Sequence, residues 1–414
     1  MKLIIIGITD SQQPWFSPEV EARIACGKTF SGGRRHRDIM ARRLPTDAPW
    51  IDITVPLSDV FDRYRALPES AQPLVVFASG DPLFFGFATT ARRLMPDADI
   101  EVHPAFNSLQ LLAHRLLTGY HDMRIVSLTG RPWQELDRAL IERAPKIGVL
   151  TDRTHTPAAI ARRLIDYGYD GYRMHLGEHL GHEEKERVAT LTLQEAAGRE
   201  CQQPNCLILE ALSPGDLRAQ RPFGIADSAF CLLDGRERMI TKMPVRLLSL
   251  QALELPSRSV LWDIGFCTGS VSIEARLLFP HLSVVAFEVR PEGQQLMDTN
   301  SRRFGAPGIT TVIGDFLQAD LSALPQPDAV FIGGHGGQLQ AVMERAASHL
   351  AEGGVMVMNS VKAAAVHTDS HRMWDDACRL LQLRQEPPLH IQLNNYNPID
   401  ILKCRKQPTT RCRK

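Results

Sequence analysis

Short runs of β-branched and other apolar residues alternate with longer amphipathic stretches along almost the whole chain, in two successive series. Such runs are typical of buried strands, and the stretches between them carry the period of surface helices. Strands that alternate with helices favour α/β domains with largely parallel sheets, because a crossover helix returns the chain to the same end of the sheet. The pattern predicts strands at Leu3–Ile6, Leu74–Phe77, Arg124–Leu128, Ile147–Leu150, Cys206–Leu212, Ser259–Ile264, Ser283–Glu288, Thr310–Ile313, Ala329–Ile332, Gly354–Asn359 and Leu389–Leu393, and a helix at Ala158–Tyr167.

A turn-rich stretch without an apolar period separates the two series. It begins at Ser213-Pro214-Gly215-Asp216 and continues through Pro222-Phe223-Gly224, a composition that suits an interdomain linker. The last residues of the chain are rich in Lys and Arg, and we expect them to form a disordered tail. The sequence thus predicts a first domain, a linker, a second domain and a basic tail at residues 1–212, 213–230, 231–402 and 403–414.

The overall charge and composition argue against several classes of protein. Lys and Arg total 47 and Asp and Glu total 47, so the formal net charge is zero, whereas a dedicated nucleic-acid-binding domain is usually strongly basic. No stretch approaches the roughly 18 apolar residues of a membrane span, and the apolar opening is too short for a signal peptide. We therefore expect a cytoplasmic protein with no nucleic-acid or membrane partner. The eight cysteines are scattered without Cys-x-x-Cys pairs, which favours reduced thiols and predicts no bound metal.

The strongest local signal is the segment 260–270, in which an apolar strand leads into a turn of small residues and then into a helix. Glycines at such a turn let the backbone approach a ligand closely, and the helix N-terminus offers free N–H donors. Glu288 follows about 20 residues later at the end of the next strand, where nucleotide-binding folds place an acidic residue against ribose hydroxyls. The pattern predicts a nucleotide-like cofactor and, taken alone, also fits a dinucleotide.

The turn, Gly265-Phe266-Cys267-Thr268-Gly269, resembles the first motif of class I S-adenosylmethionine methyltransferases, and Gly314-Asp315 falls where that class contacts adenine. Two further segments, Met239-Ile240-Thr241-Lys242 and 330–337, resemble one family specifically, the decarboxylating precorrin-6Y C5,15-methyltransferases. The resemblance implies a Rossmann-like class I methyltransferase domain that binds S-adenosyl-L-methionine. It implies cofactor contacts at Thr241, Gly265, Phe266, Cys267, Thr268, Gly269, Glu288, Asp315 and Phe316.

The same resemblance implies where the substrate of the second domain lies. The family's glycine-rich end of the fourth strand lies at the substrate mouth, which suggests that Gly333, Gly334 and Gly337 leave room for a bulky macrocycle. His335 is the candidate catalytic residue, acting by proton transfer or by carboxylate binding; the alternative is a turn residue that faces solvent. Cys267 departs from the family, which usually carries glycine there, and a nucleophilic role for its thiol lacks an evident base.

A second ligand-binding turn is predicted at residues 77–86, which follow an apolar strand and precede a helix. Locally, Asp81 is expected to cap that helix, with Pro82 at its first position. The segment also resembles the Ser-Gly-Asp-Pro stretch of the tetrapyrrole methylases, whose turn holds S-adenosylmethionine between two subdomains. The resemblance continues, in order, at residues 31–36, 104–110, 127–131 and 149–158. It implies cofactor contacts at Gly80, Asp81, Phe84 and Ser108.

Arginines near the start of the first domain are candidate substrate contacts. Arg34 and Arg35 fall in a basic run, and arginine forks suit the acetate and propionate carboxylates of a precorrin; the alternative is a solvated helix face. The family's opening strand usually leads into Gly-x-Gly-Pro-Gly, whereas this chain has Gly7-Ile8-Thr9-Asp10-Ser11. The first domain therefore either methylates a substrate or binds one without methylating it.

Together the two resemblances imply methylation of a precorrin or cobalt-precorrin in cobalamin biosynthesis. They imply C5 methylation by the first domain, and C15 methylation with decarboxylation of the C12 acetate by the second. Two alternatives are a methyltransferase for another substrate and a nonenzymatic protein that binds both ligands. Amino-group methylation is disfavoured, because Phe331-Ile332-Gly333-Gly334 stands where an Asn/Asp-Pro-Pro-Tyr motif is expected. Relatives of both domains assemble into oligomers, so we expect a homo-oligomer.

Overall fold

The computed structural model describes residues 1–213, 223–361, 370–394 and 397–408. The chain forms two compact units. The N-terminal unit contains Met1–Pro132, Ala144–Arg163 and the described chain from Asp170 to residue 213, and the C-terminal unit contains the described chain from residue 223 onward with Trp133–Arg143 and Leu164–Tyr169. Half of the predicted linker, at residues 214–222, lies outside the described residues, so the domain boundaries stay a prediction.

The first half of the N-terminal unit is an all-parallel sheet. Its elements are β1 Lys2–Ile8, α1 Pro18–Cys26, β2 Thr29–Gly32, α2 Arg34–Met40, β3 Trp50–Asp52, α3 Leu57–Arg65, β4 Leu74–Ser79, α4 Phe87–Leu94 and β5 Asp99–His103. The strand order is β3-β2-β4-β1-β5. The central strands β1 and β4 are buried along nearly their whole length, as expected of parallel strands with both faces covered.

The second sheet of this unit is mixed. The chain continues through α5 Ser108–Arg115, β6 Arg124–Ser127, α6 Gln134–Ile141, β7 Lys146–Leu150, α7 Pro157–Asp166, β8 Tyr172–Glu178, β9 Arg187–Leu191, α8 Leu193–Ala197 and β10 Asn205–Ala211. The order is β6-β7-β10-β8-β9, and only β6 and β7 run parallel. The expectation of largely parallel sheets is wrong here, because the β8–β9 connection is too short for a crossover helix.

The C-terminal unit is built around one seven-stranded sheet. Its elements are α9 Met243–Ala252, β11 Val260–Ile264, α10 Ser270–Leu278, β12 Ser283–Glu288, α11 Glu292–Phe304, β13 Ile309–Ile313, β14 Ala329–Ile332, α12 Leu339–His349, β15 Val355–Val361, α13 Ser370–Leu380, β16 Arg384–Ile391 and β17 Ile399–Arg405. The order is β13-β12-β11-β14-β15-β17-β16, with the first five parallel and β17 antiparallel to both neighbours. The α/β class predicted from the sequence is confirmed.

The predicted basic tail begins too early. β17 continues through Lys403 to Arg405, so these residues belong to the sheet rather than to a disordered end. Lys403 Nζ lies 2.8 Å from Glu254 Oε1, and Arg405 Nη1 lies 3.1 Å from Glu254 Oε2. Cys404, between them, is fully buried. The basic residues therefore alternate with buried ones as strand residues do, and residues 409–414 lie outside the described chain.

Within the described ranges, every helix falls short of the length and apolarity that crossing a bilayer requires.

Candidate functional site

A cavity of about 490 Å³ opens at the carboxyl ends of three parallel strands in the C-terminal unit. Residues at the ends of β11, β12 and β14 form its floor, and the turns that follow these strands form its walls. Open α/β sheets bind ligands in the crevice outside the carboxyl ends of their strands. The structure brings eleven of the residues predicted from the sequence into this lining, namely Thr241, Gly265, Phe266, Cys267, Thr268, Glu288, Asp315, Phe316, Gly333, Gly334 and His335.

The glycine turn is held against the turn after β14. Gly265 has φ +77°, and a Cβ at this position would lie 2.6 Å from the backbone nitrogen of Gly334. A side chain on Gly265 would therefore force the two turns apart. Gly269, the predicted contact that does not line the cavity, precedes α10 with φ +76°. The glycines of this turn therefore allow the two loops to pack closely and also leave the cavity open.

Cys267 takes up the unusual backbone geometry at the position where the sequence departs from the family. Its φ is +51°, a left-handed conformation that non-glycine residues adopt at a cost. Its backbone N–H donates a 2.8 Å hydrogen bond to Glu288 Oε2, which holds the turn against the end of β12. Burial raises the pKa of its thiol, so the thiol stays protonated and is a poor nucleophile.

Glu288 is 3% exposed although its carboxylate faces the cavity. Besides the Cys267 N–H, it accepts hydrogen bonds from the backbone N–H of Arg290 at 3.1 Å and from Arg290 Nη1 at 3.3 Å. Both Arg290 hydrogen bonds end on Oε1, whereas Oε2 accepts the Cys267 N–H alone and keeps an unused lone pair. The carboxylate is therefore both anchored and able to accept hydrogen bonds from a ligand.

Asp263 is a site residue that the sequence analysis missed. It lines the cavity and is fully buried, and Ser272 Oγ donates to its Oδ2 at 2.6 Å. Its Oδ1 and the hydroxyl of Thr268 are buried with no hydrogen-bond partner among the described residues. Burial raises the pKa of Asp263 to about 7. An acidic residue inside the apolar strand before a glycine turn was the signal available in the sequence.

Arg246 is a second missed residue, and it lies behind the cavity. It is fully buried, donates from Nη1 to the backbone oxygen of Thr241 at 2.6 Å, and forms an ion pair with Glu274. A buried guanidinium needs such partners. Arg246 therefore fixes the turn that carries Thr241, and its place inside an apolar helix of the sequence was the available signal.

The remaining predicted residues lie around the cavity mouth. His335 is half-buried, its Nδ1 has no partner among the described residues, and burial lowers its pKa. Gly333 and Gly334 are exposed beside it. Phe316 is buried and Asp315 is exposed, with Oδ1 of Asp315 accepting the Leu317 N–H at 2.9 Å. The arrangement places one neutral imidazole at the mouth.

The N-terminal unit contains a separate cavity of about 420 Å³. It lies at the carboxyl ends of β1 and β4 and is lined by the predicted residues Gly80, Phe84 and Ser108. Gly80 has φ +60°, and a Cβ there would lie 2.9 Å from the Cα of Asn107. As in the C-terminal unit, a glycine turn after a central strand packs closely against a neighbouring loop.

Asp81 does not cap a helix, contrary to the local expectation. Its Oδ1 accepts the Leu83 N–H at 2.9 Å and its backbone oxygen accepts the Phe84 N–H at 3.0 Å, which makes a turn. α4 begins only at Phe87, so Pro82 is not its first residue. Asp81 also lies outside the cavity lining. The extra turn places Phe84 in the lining and shapes the loop that Gly80 begins.

A chain of polar side chains crosses the wall of this cavity. Arg35 Nη1 donates to Asp10 Oδ1 at 3.0 Å, and Arg35 Nη2 donates to Ser79 Oγ at 2.7 Å. Asp10 Oδ2 also lies 2.9 Å from His179 Nδ1. Arg34, by contrast, is exposed and outside the lining. The sequence analysis missed Asp10 and His179 as site residues, although Asp10 lies in the loop where the chain departs from the tetrapyrrole methylases.

One cluster elsewhere in the N-terminal unit has the composition of a metal site. Carboxylate and imidazole groups of Glu19, Glu101 and His103 lie within 4.8 Å of one another. Glu101 already pairs with Arg23 at 2.5 Å and with Lys2 at 3.6 Å. These cations offset the negative charge that would attract a metal ion.

Two family models match the chain. The model for tetrapyrrole (corrin/porphyrin) methylases matches residues 34–197, and a precorrin methyltransferase domain matches residues 234–389. A cobalt-precorrin-6B C(15)-methyltransferase (decarboxylating) of Salmonella typhi is 39% identical over 183 residues, which are 42% of this chain and 93% of that protein. A crystal structure of precorrin-6Y C5,15-methyltransferase from Geobacter metallireducens covers 45% of this chain and 100% of its own, at 31% identity and a TM-score of 0.40.

The α/β sheets, the cavity at the strand ends of each unit and the two family models define a protein with a tetrapyrrole methylase domain followed by a precorrin methyltransferase domain. A precorrin-6Y C(5,15)-methyltransferase [decarboxylating] of Sinorhizobium is 34% identical over 372 residues, which are 89% of this chain and 87% of that protein. The chain belongs to the family of decarboxylating precorrin-6Y C(5,15)-methyltransferases, which confirms the resemblance found in the sequence.

Proposed function

We propose that this chain transfers methyl groups from S-adenosyl-L-methionine to C5 and C15 of a precorrin or cobalt-precorrin, and removes the C12 acetate carboxyl as carbon dioxide, in cobalamin biosynthesis. The observation that carries the proposal is the match of one relative with this two-position name to 89% of the chain. Both units thus have a counterpart in that relative. The presence of a separate cavity in each unit supports two distinct methyl transfers.

The C-terminal cavity has the polar groups that the cofactor requires. S-adenosylmethionine supplies a reactive methyl group on a positively charged sulfur and carries an ammonium group and ribose hydroxyls. Asp263 Oδ1 and Thr268 Oγ1 are buried without partners among the described residues, and such atoms are costly unless a ligand satisfies them. We assign the ammonium group to Asp263 and the ribose hydroxyls to Glu288. We assign the other cofactor contacts to Thr241, Gly265, Phe266, Cys267, Thr268, Asp315 and Phe316, with Gly269 supporting the turn from behind the lining.

The N-terminal cavity has a different set of candidate cofactor contacts. Gly80, Phe84 and Ser108 line it together, and Asp81 maintains the turn between the first two. Cys206 lies beside Ser108 with a pKa raised to about 12 by burial, so its thiol is uncharged. We assign cofactor contacts to Gly80, Phe84 and Ser108, and a positioning role to Asp81.

His335 is our candidate for acid–base work in the C-terminal cavity. Burial lowers its pKa, so the imidazole is neutral at physiological pH and can accept a proton on a free nitrogen. Gly333 and Gly334 leave the space beside it without side chains. A carboxylate held there out of water is destabilised, and the conjugated macrocycle accepts the electrons that carbon dioxide leaves behind.

Carboxylates at the rim of the substrate need cationic partners. Arg34 is exposed and remains a candidate to bind an acetate or propionate carboxylate of the substrate. Arg35 lines the cavity but already donates hydrogen bonds to Asp10 and Ser79, so fewer of its N–H groups remain for a substrate carboxylate.

Cytoplasmic location and homo-oligomeric assembly stay predictions. Light scattering of the purified chain measures the assembly.

The proposal is tested by mass spectrometry of the macrocycle after incubation of the full chain with S-adenosylmethionine. Metal-free precorrin-6B and its cobalt form are compared as substrates. We expect one of them to gain two methyl groups and lose one carbon dioxide. Gain of one methyl with loss of carbon dioxide would mean that the N-terminal unit does not methylate this substrate. No change in mass with either substrate would leave a cofactor-binding protein and contradict the proposal.

A further inference from the structure

Asp10 carries the negative charge of the N-terminal cavity wall. It follows β1, is 5% exposed, and lines the cavity with Gly80 and Ser108. Its oxygens each have one side-chain partner, Arg35 Nη1 at 3.0 Å and His179 Nδ1 at 2.9 Å. An ionised carboxylate has about four acceptor positions, so both oxygens keep capacity for a further proton or hydrogen bond. Asp10 is therefore held firmly in place and is still able to react.

The other titratable groups that line the cavity offer no free basic atom. The pKa of His36 is lowered to about 4 by burial and by the charge of Arg35. Its Nδ1 accepts the Gly33 N–H at 3.3 Å, and its Nε2 lies 3.0 Å from Ser79 Oγ and 3.4 Å from Arg35 Nη2. His36 therefore has no free acceptor nitrogen. Cys206 is a protonated thiol. Among the lining residues that the structure describes, Asp10 is the one carboxylate.

His179 reaches Asp10 from a strained backbone. Its φ is +49°, a conformation that costs a residue with a Cβ about 1–3 kcal/mol. Its backbone N–H donates to the oxygen of Pro204 at 2.9 Å, which holds the strained residue at the end of β8. Non-glycine residues keep such conformations where the surrounding structure imposes them. The contact with Asp10 Oδ2 is what this placement achieves.

We propose that Asp10 is the proton acceptor for methylation in the N-terminal unit, and that Arg35 and His179 position its carboxylate. This inference rests on the proposed C5 methylation. The ring carbon forms a bond to the methyl group, and sulfur keeps the electrons of the broken sulfur–methyl bond. The same carbon then loses its hydrogen as a proton to Asp10, and the electrons of that C–H bond restore the conjugation of the ring.

The test substitutes Asp10→Asn in the full chain, which keeps size and hydrogen-bonding shape but removes the basic oxygen. We expect C5 methylation to fall about 10²–10⁴-fold, the usual contribution of a positioned general base. C15 methylation and decarboxylation in the same molecules report on folding and should not change. Asp38→Asn, on the exposed face of α2, is the matched control and should leave both reactions at the wild-type rate.

Three further measurements separate catalysis from binding. Calorimetric titration with S-adenosylhomocysteine should show two sites in both wild type and Asp10→Asn. With a macrocycle deuterated at C5, the variant should show a larger kinetic isotope effect than wild type, because proton removal becomes rate-limiting. His179→Gln and Arg35→Lys should lower kcat for C5 methylation with little change in KM, since they act through the position of Asp10.

Three outcomes would overturn the inference. They are C5 methylation by Asp10→Asn within a few-fold of wild type, loss of one S-adenosylhomocysteine site in that variant, or an unchanged isotope effect. If the wild-type chain itself fails to methylate C5, the proposed function fails first, and that result is distinct from all three.

Discussion

Ser272 Oγ donates a 2.6 Å hydrogen bond to Asp263 Oδ2, while Asp263 Oδ1 is buried in the cavity lining without a partner among the described residues. Burial, which raises the pKa of Asp263 to about 7, outweighs this hydrogen bond. A cation at Oδ1 would favour the charged form and lower that pKa again. If a cationic group binds at Asp263 as proposed, its affinity for the C-terminal cavity will depend on pH near neutrality.

We expect the affinity of the C-terminal cavity for S-adenosylmethionine to rise between pH 6 and pH 8, by at most about tenfold per pH unit. The reason is that the ammonium group binds the ionised form of Asp263. Calorimetric titration across this pH range measures the effect. Asp263→Asn should bind more weakly and lose the pH dependence, and Asp320→Asn, an exposed control, should keep both. An affinity that Asp263→Asn leaves unchanged would remove Asp263 from the site.

The raised pKa of Asp263 should also make the free energy of unfolding of the ligand-free chain depend on pH. Because the folded-state pKa of Asp263 is raised from 3.8 to about 7, the native state binds more protons than the unfolded state between these values. Stability from this group is thus lost as pH rises from about 4 to about 7, by as much as about 4 kcal/mol. Asp263→Asn should be more stable than wild type at pH 8, and the gap should shrink towards pH 4 in urea unfolding. A gap that does not vary with pH would contradict the assigned pKa.

Cys267→Gly should stabilise the ligand-free C-terminal unit by up to about 1 kcal/mol. Glycine adopts φ +51° without the Cβ penalty of about 1–2 kcal/mol, and its larger unfolded-state entropy offsets part of the gain. The backbone N–H that donates to Glu288 is retained, so C15 methylation should persist. Scanning calorimetry and the C15 assay measure both effects. Loss of activity with preserved cofactor binding would restore the thiol as a reacting group.

Gly80→Ala and Gly265→Ala should each slow one of the two methylation reactions. A Cβ on Gly80 would lie 2.9 Å from Asn107 Cα, and a Cβ on Gly265 would lie 2.6 Å from Gly334 N. Backbone atoms cannot move aside cheaply. We expect C5 methylation to fall at least about tenfold in the first variant and C15 methylation to do so in the second, with the other reaction near wild type in each.

The matched controls are Gly130→Ala and Gly353→Ala. These glycines have φ +62° and +72°, and a Cβ at either would meet nothing within 4 Å. They therefore share the backbone strain without the clash. Equal losses of methylation activity in the control and test variants would show that backbone strain alone, rather than the close contact between loops, limits activity.

His335→Gln should lower C15 methylation with decarboxylation by about 10²-fold or more and leave S-adenosylmethionine binding intact. The amide keeps polarity at the cavity mouth but cannot take up a proton. Because burial lowers the pKa of His335, the wild-type rate should be maintained down to a lower pH than an exposed histidine would allow. A pH–rate profile of wild type and variant tests both points, and unchanged turnover would remove His335 from the mechanism.

Most of the strands and the glycine turns could be predicted from the sequence because their signals are local. Periodicity located β11, β12 and β14, and the turn 265–269 marked the end of the sheet at which the cavity opens. The mixed second sheet and the extension of β17 to Arg405 could not be predicted in this way. The direction and the edge pairing of a strand depend on partners that are distant in sequence. A run of basic residues has the same sequence pattern in a disordered tail as in a strand whose side chains face acidic neighbours.

What the sequence determined by itself is the order of two α/β units, their glycine turns and their family, since each is carried by short segments with their own chemistry. Only the tertiary structure decided which polar groups share a cavity. Asp10 and His179 are 169 positions apart and meet at 2.9 Å, while Asp81, inside the recognised motif, supports the turn from outside the lining. Burial and unpaired atoms arise from packing, so the strongest assignments at Asp263 and Asp10 depend on the fold.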